Sequence, residues 1–389
     1  MRKLIKVLKT IGISLLSMVL LSLAFIGIYS QIGNSKIEAE IDGLGTKLVA
    51  ISYWKLDRSD RHWKLAYSIN DKININLDVE ATSKAWLQIL EPRRTFRSKK
   101  IVLYIDPNDE IVLQGKNDSI SIDYDVIRGN NLCCQIAELR KEFLPYYKEE
   151  SRLWYLSKQL RKTDWEKSKR LTEQFDSLRF YTVAPLRTEW AKQHLDYELT
   201  PSYLLESHVA KDTVIKYHGL LTEKAKNSYY GKTLSGIISG WENSKIGNLA
   251  PDFSQITLNG TTFSLRELRG KYVVLDFWGT WCGPCMYGMP KMKKYYNKYK
   301  SQIEFVGIAC NDKESTWKKT VEKNEMDWIQ LLNDNSSTNL EVLYGVQSYP
   351  TKIIINPKGE VINKFEGEVD VFYHEIDSLM NKQSIANNM

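Results

Sequence analysis

The sequence predicts an α/β domain at its C-terminal end, with a central mixed sheet flanked by helices. An all-β sandwich-like domain and a helical segment precede it. Three observations carry this expectation. From residue 244 onward apolar strands alternate with helical stretches, the pattern of a sheet covered by helices. Between residues 36 and 130 short runs alternate polar with apolar, as in Ile73-Asn-Ile-Asn-Leu77. Between 131 and 243 charged residues mix with aromatics and leucines at helical spacing. A chain of 389 residues has room for two or three such domains.

Composition narrows the function classes. Hydrophobic residues make up 43% and charged residues 26%, ordinary for folded protein, which excludes disorder, collagen-like repeats and a multi-span membrane protein. Five cysteines are too few for a disulfide-stapled scaffold. The formal net charge is +7, but Arg2, Lys3, Lys6 and Lys9 supply four of those charges. The remainder is close to balance, so no nucleic-acid partner is expected.

The first 35 residues read as a membrane anchor or signal segment. No charge occurs between Lys9 and Lys36, and Ile11 to Tyr29 is almost wholly apolar. That run is just long enough to span a bilayer, which takes about 20 apolar residues. The basic residues before it stay on the cytoplasmic side. The expected location is therefore the cell envelope, facing the periplasm, anchored to the inner membrane by residues 11–29. Secretion to the periplasm after signal cleavage is the alternative, but sites near Ser30 are poor. No cysteine follows the run to take a lipid.

In the β region, strands are predicted at Lys47–Tyr53, Ile73–Asp78, Ala85–Leu90, Ile101–Ile105, Glu110–Leu113 and Ser119–Tyr124. Asp106-Pro-Asn-Asp109 and Gly115-Lys-Asn-Asp118 supply turns. In the helical segment, 131–243, Leu153, Leu156 and Leu160 share a face, and Thr200-Pro201 starts a helix. Gly240 to Gly247 reads as a short linker. In the last domain, 244–389, strands are predicted at Asp252–Leu258, Tyr272–Trp278, Ile303–Ala309, Lys352–Ile355 and Val361–Phe365. Helices are predicted at Met286–Tyr299, Ser315–Lys323, Leu340–Tyr344 and Val371–Asn381. Asn259-Gly260 is a hairpin turn.

The chemistry concentrates at Trp281-Cys282-Gly283-Pro284-Cys285, which follows a strand and opens a helix. Structural zinc needs four ligands, and a second cysteine pair at suitable spacing is missing, so no metal is expected. Two intervening residues let the thiols meet across the first helical turn. The first thiol sits where backbone N–H groups are unpaired and the helix dipole is positive, which favours thiolate. Cys282 is therefore expected to attack, and Cys285, one turn further in and better shielded, to resolve. Pro284 suits a first turn because its missing N–H costs nothing there.

Asp276-Phe-Trp-Gly-Thr-Trp-Cys-Gly-Pro-Cys285 resembles the active-site segment of thioredoxins. Tyr344-Gly-Val-Gln-Ser-Tyr-Pro-Thr351 resembles their cis-proline segment. Ile246-Gly-Asn-Leu-Ala-Pro-Asp-Phe253 and the Leu265–Lys271 stretch resemble the TlpA/ResA branch. The likeness runs from about Ile246 to Met380, and the whole layout resembles a multi-domain form of Bacteroidetes-type bacteria with an N-terminal β domain. It implies a thioredoxin-like fold and a thiol–disulfide oxidoreductase whose redox group is its own dithiol, with no cofactor. It implies that Asp276 is a buried acid that exchanges a proton with Cys285. It also implies that Pro350 is cis, that Tyr349 offers its backbone to substrate, and that Trp281 flanks the sulfurs. Gly283 and Pro284 form the active-site spacer.

Two departures from the branch stand out. Many members carry glutamate where this chain has Gly288, and some cytochrome-maturation members carry an acid where it has Gly283. Both weaken a role in cytochrome c-type biogenesis. A peroxidase centre of this fold needs Thr or Ser at 279 and Pro at 275, where the chain has Gly and Leu. Cys133, Cys134 and Cys310 are expected to be non-catalytic.

The expected function is reduction of protein disulfides on the envelope side of the membrane. Partners are disulfide-containing envelope proteins and a membrane thiol electron donor. An oxidase or isomerase, or a scaffold that uses its last domain for docking, are the alternatives.

Overall fold

The computed structural model describes residues 26–57, 60–90, 100–119, 123–206, 210–333 and 338–387. Most of the apolar run at 11–29 lies outside them. Among the described residues no helix is long and apolar enough to cross a membrane. The chain divides into two compact units, Met1–Ala225 and Lys226–Met389.

The first unit begins with eight strands: β1 Ser35–Asp42, β2 Leu48–Lys55, β3 His62–Ile69, β4 Lys72–Leu77, β5 Ser83–Ile89, β6 Lys100–Ile105, β7 Glu110–Lys116 and β8 Tyr124–Arg128. They form one sheet in the order β6-β5-β2-β3-β4-β1-β7-β8. Alternate residues turn inward, as in β1, where Ile37, Ala39 and Ile41 are buried. Inward residues from both ends of the strand order share a single core, which includes Ile101, Leu103, Leu113 and Tyr124. The Tyr124 hydroxyl on β8 donates to the Val102 carbonyl on β6 at 2.6 Å, joining opposite edges. The sheet is therefore rolled, and the two layers of the expected sandwich are its two halves. The strand expected at Ser119–Tyr124 falls largely outside the described residues; of those described, Ser119 lies in a turn and Tyr124 opens β8.

Helices follow: α1 Asn131–Glu142, α2 Leu144–Leu160, α3 Trp165–Ser177, α4 Ala184–Gln193, α5 Thr200–Glu206, α6 Lys211–Leu220 and α7 Glu223–Asn227. Asn130 starts the series. Its side chain accepts the Cys133 N–H at 2.9 Å, supplying the cap that a helix start requires. The same side chain donates to the Tyr104 carbonyl at 3.0 Å, which ties α1 to the rolled sheet. Cys133 is buried, Cys134 is exposed, and both are free thiols.

The second unit opens with α8, Tyr229–Asn243, then β9 Ser254–Ile256, β10 Thr262–Ser264, β11 Tyr272–Trp278, α9 Gly283–Tyr299 and β12 Ile303–Cys310. It closes with α10 Glu314–Lys323, β13 Ile329–Asn333, α11 Leu340–Leu343, β14 Thr351–Ile355, β15 Val361–Glu366 and α12 Asp370–Asn387. Five strands form a mixed sheet in the order β13-β12-β11-β14-β15. β11 runs parallel to β12 and antiparallel to β14. One face packs Met289 and Met292 of α9, Trp317 of α10 and Phe372 and Ile376 of α12. The other packs Phe253, Leu265, Leu340 and Tyr344. Both faces are covered, so β11 reads as a continuous apolar run. This is the thioredoxin-like α/β domain that the sequence predicts.

Three details differ from expectation. The strand expected at Asp252–Leu258 shortens to Ser254–Ile256, paired through the Asn259-Gly260 turn with Thr262–Ser264. β13 was not foreseen; its run is short and lacks polar alternation. Gly240 is not linker but the inward face of α8. A β-carbon there would stand 2.2 Å from the Val342 carbonyl oxygen, so glycine permits the helix to meet α11 backbone to backbone. Trp241 Nε1 donates to the Gly345 carbonyl at 3.0 Å and Ser244 Oγ to the Tyr344 carbonyl at 2.9 Å, completing that contact.

Candidate active site

β11 is buried almost throughout and delivers the chain to Trp278. The loop Gly279-Thr280-Trp281 then turns into α9. Cys282 is the N-cap of that helix, with φ −84° and ψ 105°, and Pro284 lies in its first turn. The Cys285 N–H donates to Cys282 Sγ at 3.2 Å. A sulfur therefore occupies the place where a serine or aspartate oxygen normally satisfies an orphan N–H. Negative charge on that sulfur is favoured by the hydrogen bond and by the helix dipole.

Cys282 and Cys285 are joined in a disulfide, with Cα atoms 5.3 Å apart. Both cysteines are 4% exposed. The expected difference in shielding is thus absent from this oxidised form, in which the bonded sulfurs share one cover. The asymmetry is positional: one sulfur caps the helix and the other lies within it. Gly283 and Pro284, the spacer, are exposed.

Trp281 remains 53% exposed. Its indole N–H donates to the Cys310 carbonyl at 2.9 Å. The ring stands edge-on to Tyr349, centroids 5.1 Å apart. A β-carbon at Gly279 would fall 2.6 Å from the indole nitrogen. The hydroxyl residue that a peroxidase centre requires at 279 would displace Trp281. The Tyr349 hydroxyl accepts from Asn311 Nδ2 at 3.3 Å, and the Tyr349–Pro350 peptide is cis. Asp312 holds the loop from the other side: its Oδ2 accepts the Thr280 N–H at 2.7 Å, and its Oδ1 accepts the Thr280 hydroxyl. Burial pushes the Asp312 carboxyl up despite these bonds.

Asp276 sits on β11, 4% exposed. Lys352 lies opposite it in the β11–β14 register, and its Nζ is 3.7 Å from Asp276 Oδ1. That oxygen has no hydrogen-bond partner among the described residues. The Lys352 ammonium instead donates to Glu368 Oε2 at 2.7 Å. Glu368 Oε1 accepts the Tyr373 hydroxyl at 2.5 Å. Burial raises the Asp276 carboxyl above its ordinary range; the Lys352 charge pulls it down and the Glu368 charge pushes it up.

Sequence reasoning brought together Asp276, Trp281, Cys282, Cys285, Tyr349 and Pro350 but missed Lys352, Glu368, Asn311 and Asp312. Lys352 left one signal, a lysine inside an otherwise apolar strand. The other three left none. Pro290, inside α9, was also unremarked; without an N–H it withholds a helix bond from the Met286 carbonyl. Cys310 is wholly buried, and burial drives its thiol well above the usual range. Among the described residues no group of three or more His, Cys, Asp or Glu is placed to hold a metal ion.

Comparison with known proteins gives consistent matches. Residues 246–364 match the AhpC/TSA family. The thiol-disulfide oxidoreductase ResA of Halalkalibacterium halodurans is 36% identical over 124 residues, covering 32% of this chain and 69% of that protein. ResA of Bacillus cereus is 34% identical over 134 residues, covering 34% of this chain and 76% of that protein. The solved thioredoxin domain of a thiol-disulfide oxidoreductase from Bacteroides vulgatus is 28% identical, with a TM-score of 0.33, covering 35% of this chain and 97% of that one.

Proposed function

The chain belongs to the ResA/TlpA-type family of thiol-disulfide oxidoreductases, and from that premise we propose that it reduces protein disulfides on the envelope side of the inner membrane. One observation supports the chemistry above the rest: Cys282 Sγ accepts the Cys285 N–H at the mouth of a seventeen-residue helix.

In the reduced protein the Cys282 thiolate attacks one sulfur of a substrate disulfide. A mixed disulfide forms and the first substrate thiolate leaves. Cys285 gives its proton to the Asp276 carboxylate, through water, and attacks Cys282 Sγ. The second substrate thiolate leaves, and the Cys282–Cys285 bond closes. Two electrons have passed to the substrate. A membrane thiol donor restores the dithiol by the same exchange in reverse. Trp281 and Tyr349 form the surface on which an extended substrate lies. No cofactor takes part. The Gly283-Pro284 spacer, shared with thioredoxins, supports reduction as the direction. Residues 11–29 would tether the chain to the membrane.

Trapping tests this reading. A Cys285→Ala variant retains the attacking sulfur and cannot resolve, so it should accumulate mixed disulfides with envelope proteins. Cys282→Ala should trap none. The potential of the pair should lie near the roughly −270 mV of thioredoxin. A value near the roughly −120 mV of DsbA would reverse the direction. Failure of the Cys285→Ala variant to trap anything would remove the exchange chemistry itself.

A further inference from the structure

Beneath the active-site helix a chain of polar groups leads away from Asp276, and beyond Asp276 the exchange steps above leave it unused. Asp276, Lys352, Glu368 and Tyr373 are consecutive partners, at 3.7, 2.7 and 2.5 Å. Burial is graded along it. The side chains of Lys352 and Asp276 are 3% and 5% exposed, whereas that of Glu368 is 14% exposed. Glu368 is thus the end nearer water. Its carboxylate also fills the space beside Gly288, three residues beyond Cys285. A β-carbon at Gly288 would stand 2.2 Å from the Glu368 carboxyl carbon and within 2.5 Å of both its oxygens. Gly288 is buried within a helix, where glycine is otherwise less favourable than alanine.

We propose that Glu368 is a positioning residue of the dithiol site, which draws Lys352 away from Asp276 and provides the exit for the Asp276 proton, with Gly288 kept small to seat it. The proposal rests on the exchange reading above. The proton balance is simple. Asp276, having taken the Cys285 proton, passes it to Lys352 as Lys352 passes one to Glu368, and Glu368 releases it to water. The ammonium charge is unchanged, and one proton travels from thiol to solvent. A swing of the flexible lysine stem closes the 3.7 Å gap.

The groups on the Asp276 side of the sheet are Lys352 from β14, Glu368 from the segment after β15 and Tyr373 from α12; the Cys310 thiol of β12 packs on the opposite face and senses the Asp276 charge only at a distance. Tyr295 and Lys291 of α9 lie against the Tyr373 ring, at 4.7 Å and 4.2 Å. Of the groups nearest Asp276, Glu368 alone both adds negative charge and competes for Lys352. Its neutralisation therefore has a definite sign.

The test follows the Asp276 carboxyl by carbon NMR titration in the full-length oxidised protein. Glu368→Gln, which keeps the shape, should lower the Asp276 midpoint by one unit or more, a tenfold change in proton affinity. Gly288→Ala, which pushes the carboxylate away, should move it the same way by less. In the reduced protein the pH midpoint of disulfide exchange should follow the same shift. An Asp276 midpoint that stays put or rises in Glu368→Gln overturns the proposal, whether or not exchange is catalysed. If Gly288→Ala does not fold, the isosteric variant still decides. Wild-type protein that shows the coupling but exchanges no disulfides would overturn the function reading and leave the coupling standing.

Discussion

Asp276 and Lys352 face each other across two antiparallel strands, in register, with their charged ends 3.7 Å apart and both side chains almost wholly out of water. A carboxylate in that position is costly to ionise, and the lysine offsets only part of the cost because Glu368 shares it.

The stability of the protein should therefore depend on pH through Asp276. Its folded pKa is raised, so the native state holds this proton more firmly than the unfolded chain. Stability from this group is fully present below the unfolded value, roughly 3.9. It is lost as pH rises through the folded value. Asp276→Asn removes that loss. Its unfolding free energy relative to wild type, read from urea curves, should climb between pH 4 and pH 8, by about 1.4 kcal/mol for each unit of elevation. A difference that is flat in pH would mean that Asp276 ionises like an exposed carboxyl.

Cys282 should be the most acidic thiol in the reduced protein. Capping by the Cys285 N–H and the helix dipole both stabilise its thiolate, so its pKa should fall below the ~8.5 of a free cysteine. At pH 6.5 iodoacetamide should label Cys282 well before Cys285. Cys134, though exposed, should lag, because burial and the Glu138 charge raise its thiol. Equal labelling of Cys282 and Cys134 would show that the helix start confers no acidity.

Trp281→Ala should impair substrate binding more than chemistry. The indole packs edge-on against Tyr349 and stays 53% exposed on the residue before Cys282. Aromatic contacts of this kind contribute about 0.5–1.5 kcal/mol, so KM should rise roughly two- to thirteenfold. The Cys282 pKa should stay in place. A fall in kcat with KM unchanged would assign the ring a different role.

Gly240→Ala should destabilise the second unit. Its β-carbon would meet the Val342 carbonyl oxygen at 2.2 Å and the Gly345 nitrogen at 2.4 Å, both backbone atoms that cannot swing aside. Overpacking of this kind costs about 1–3 kcal/mol, which urea unfolding would detect. An unchanged midpoint would mean that α8 can shift without loss.

Legibility varied with the range of the forces involved. Tyr272–Trp278 was readable because a strand buried on both faces must be apolar along its length. Asn259-Gly260 was readable because its geometry is local, and Gly260 indeed has φ 79°. β13 was obscure because Ile329–Asn333 is short and does not alternate polar with apolar, so its apolar residues could equally belong to a helix. Gly240 misled because glycine marks a flexible joint in sequence, while here it lets two helices touch.

The sequence by itself determined where the pair of sulfurs sits. The Cys282–Cys285 spacing, the preceding strand and Pro284 all act within a single turn of chain, so the cap and the paired sulfurs follow from local geometry. Only the tertiary structure decided what surrounds them. Lys352 meets Asp276 because strand register aligns them, and Glu368 and Tyr373 arrive from the far end of the chain. Burial and charge act through space, and their partners leave no spacing to read.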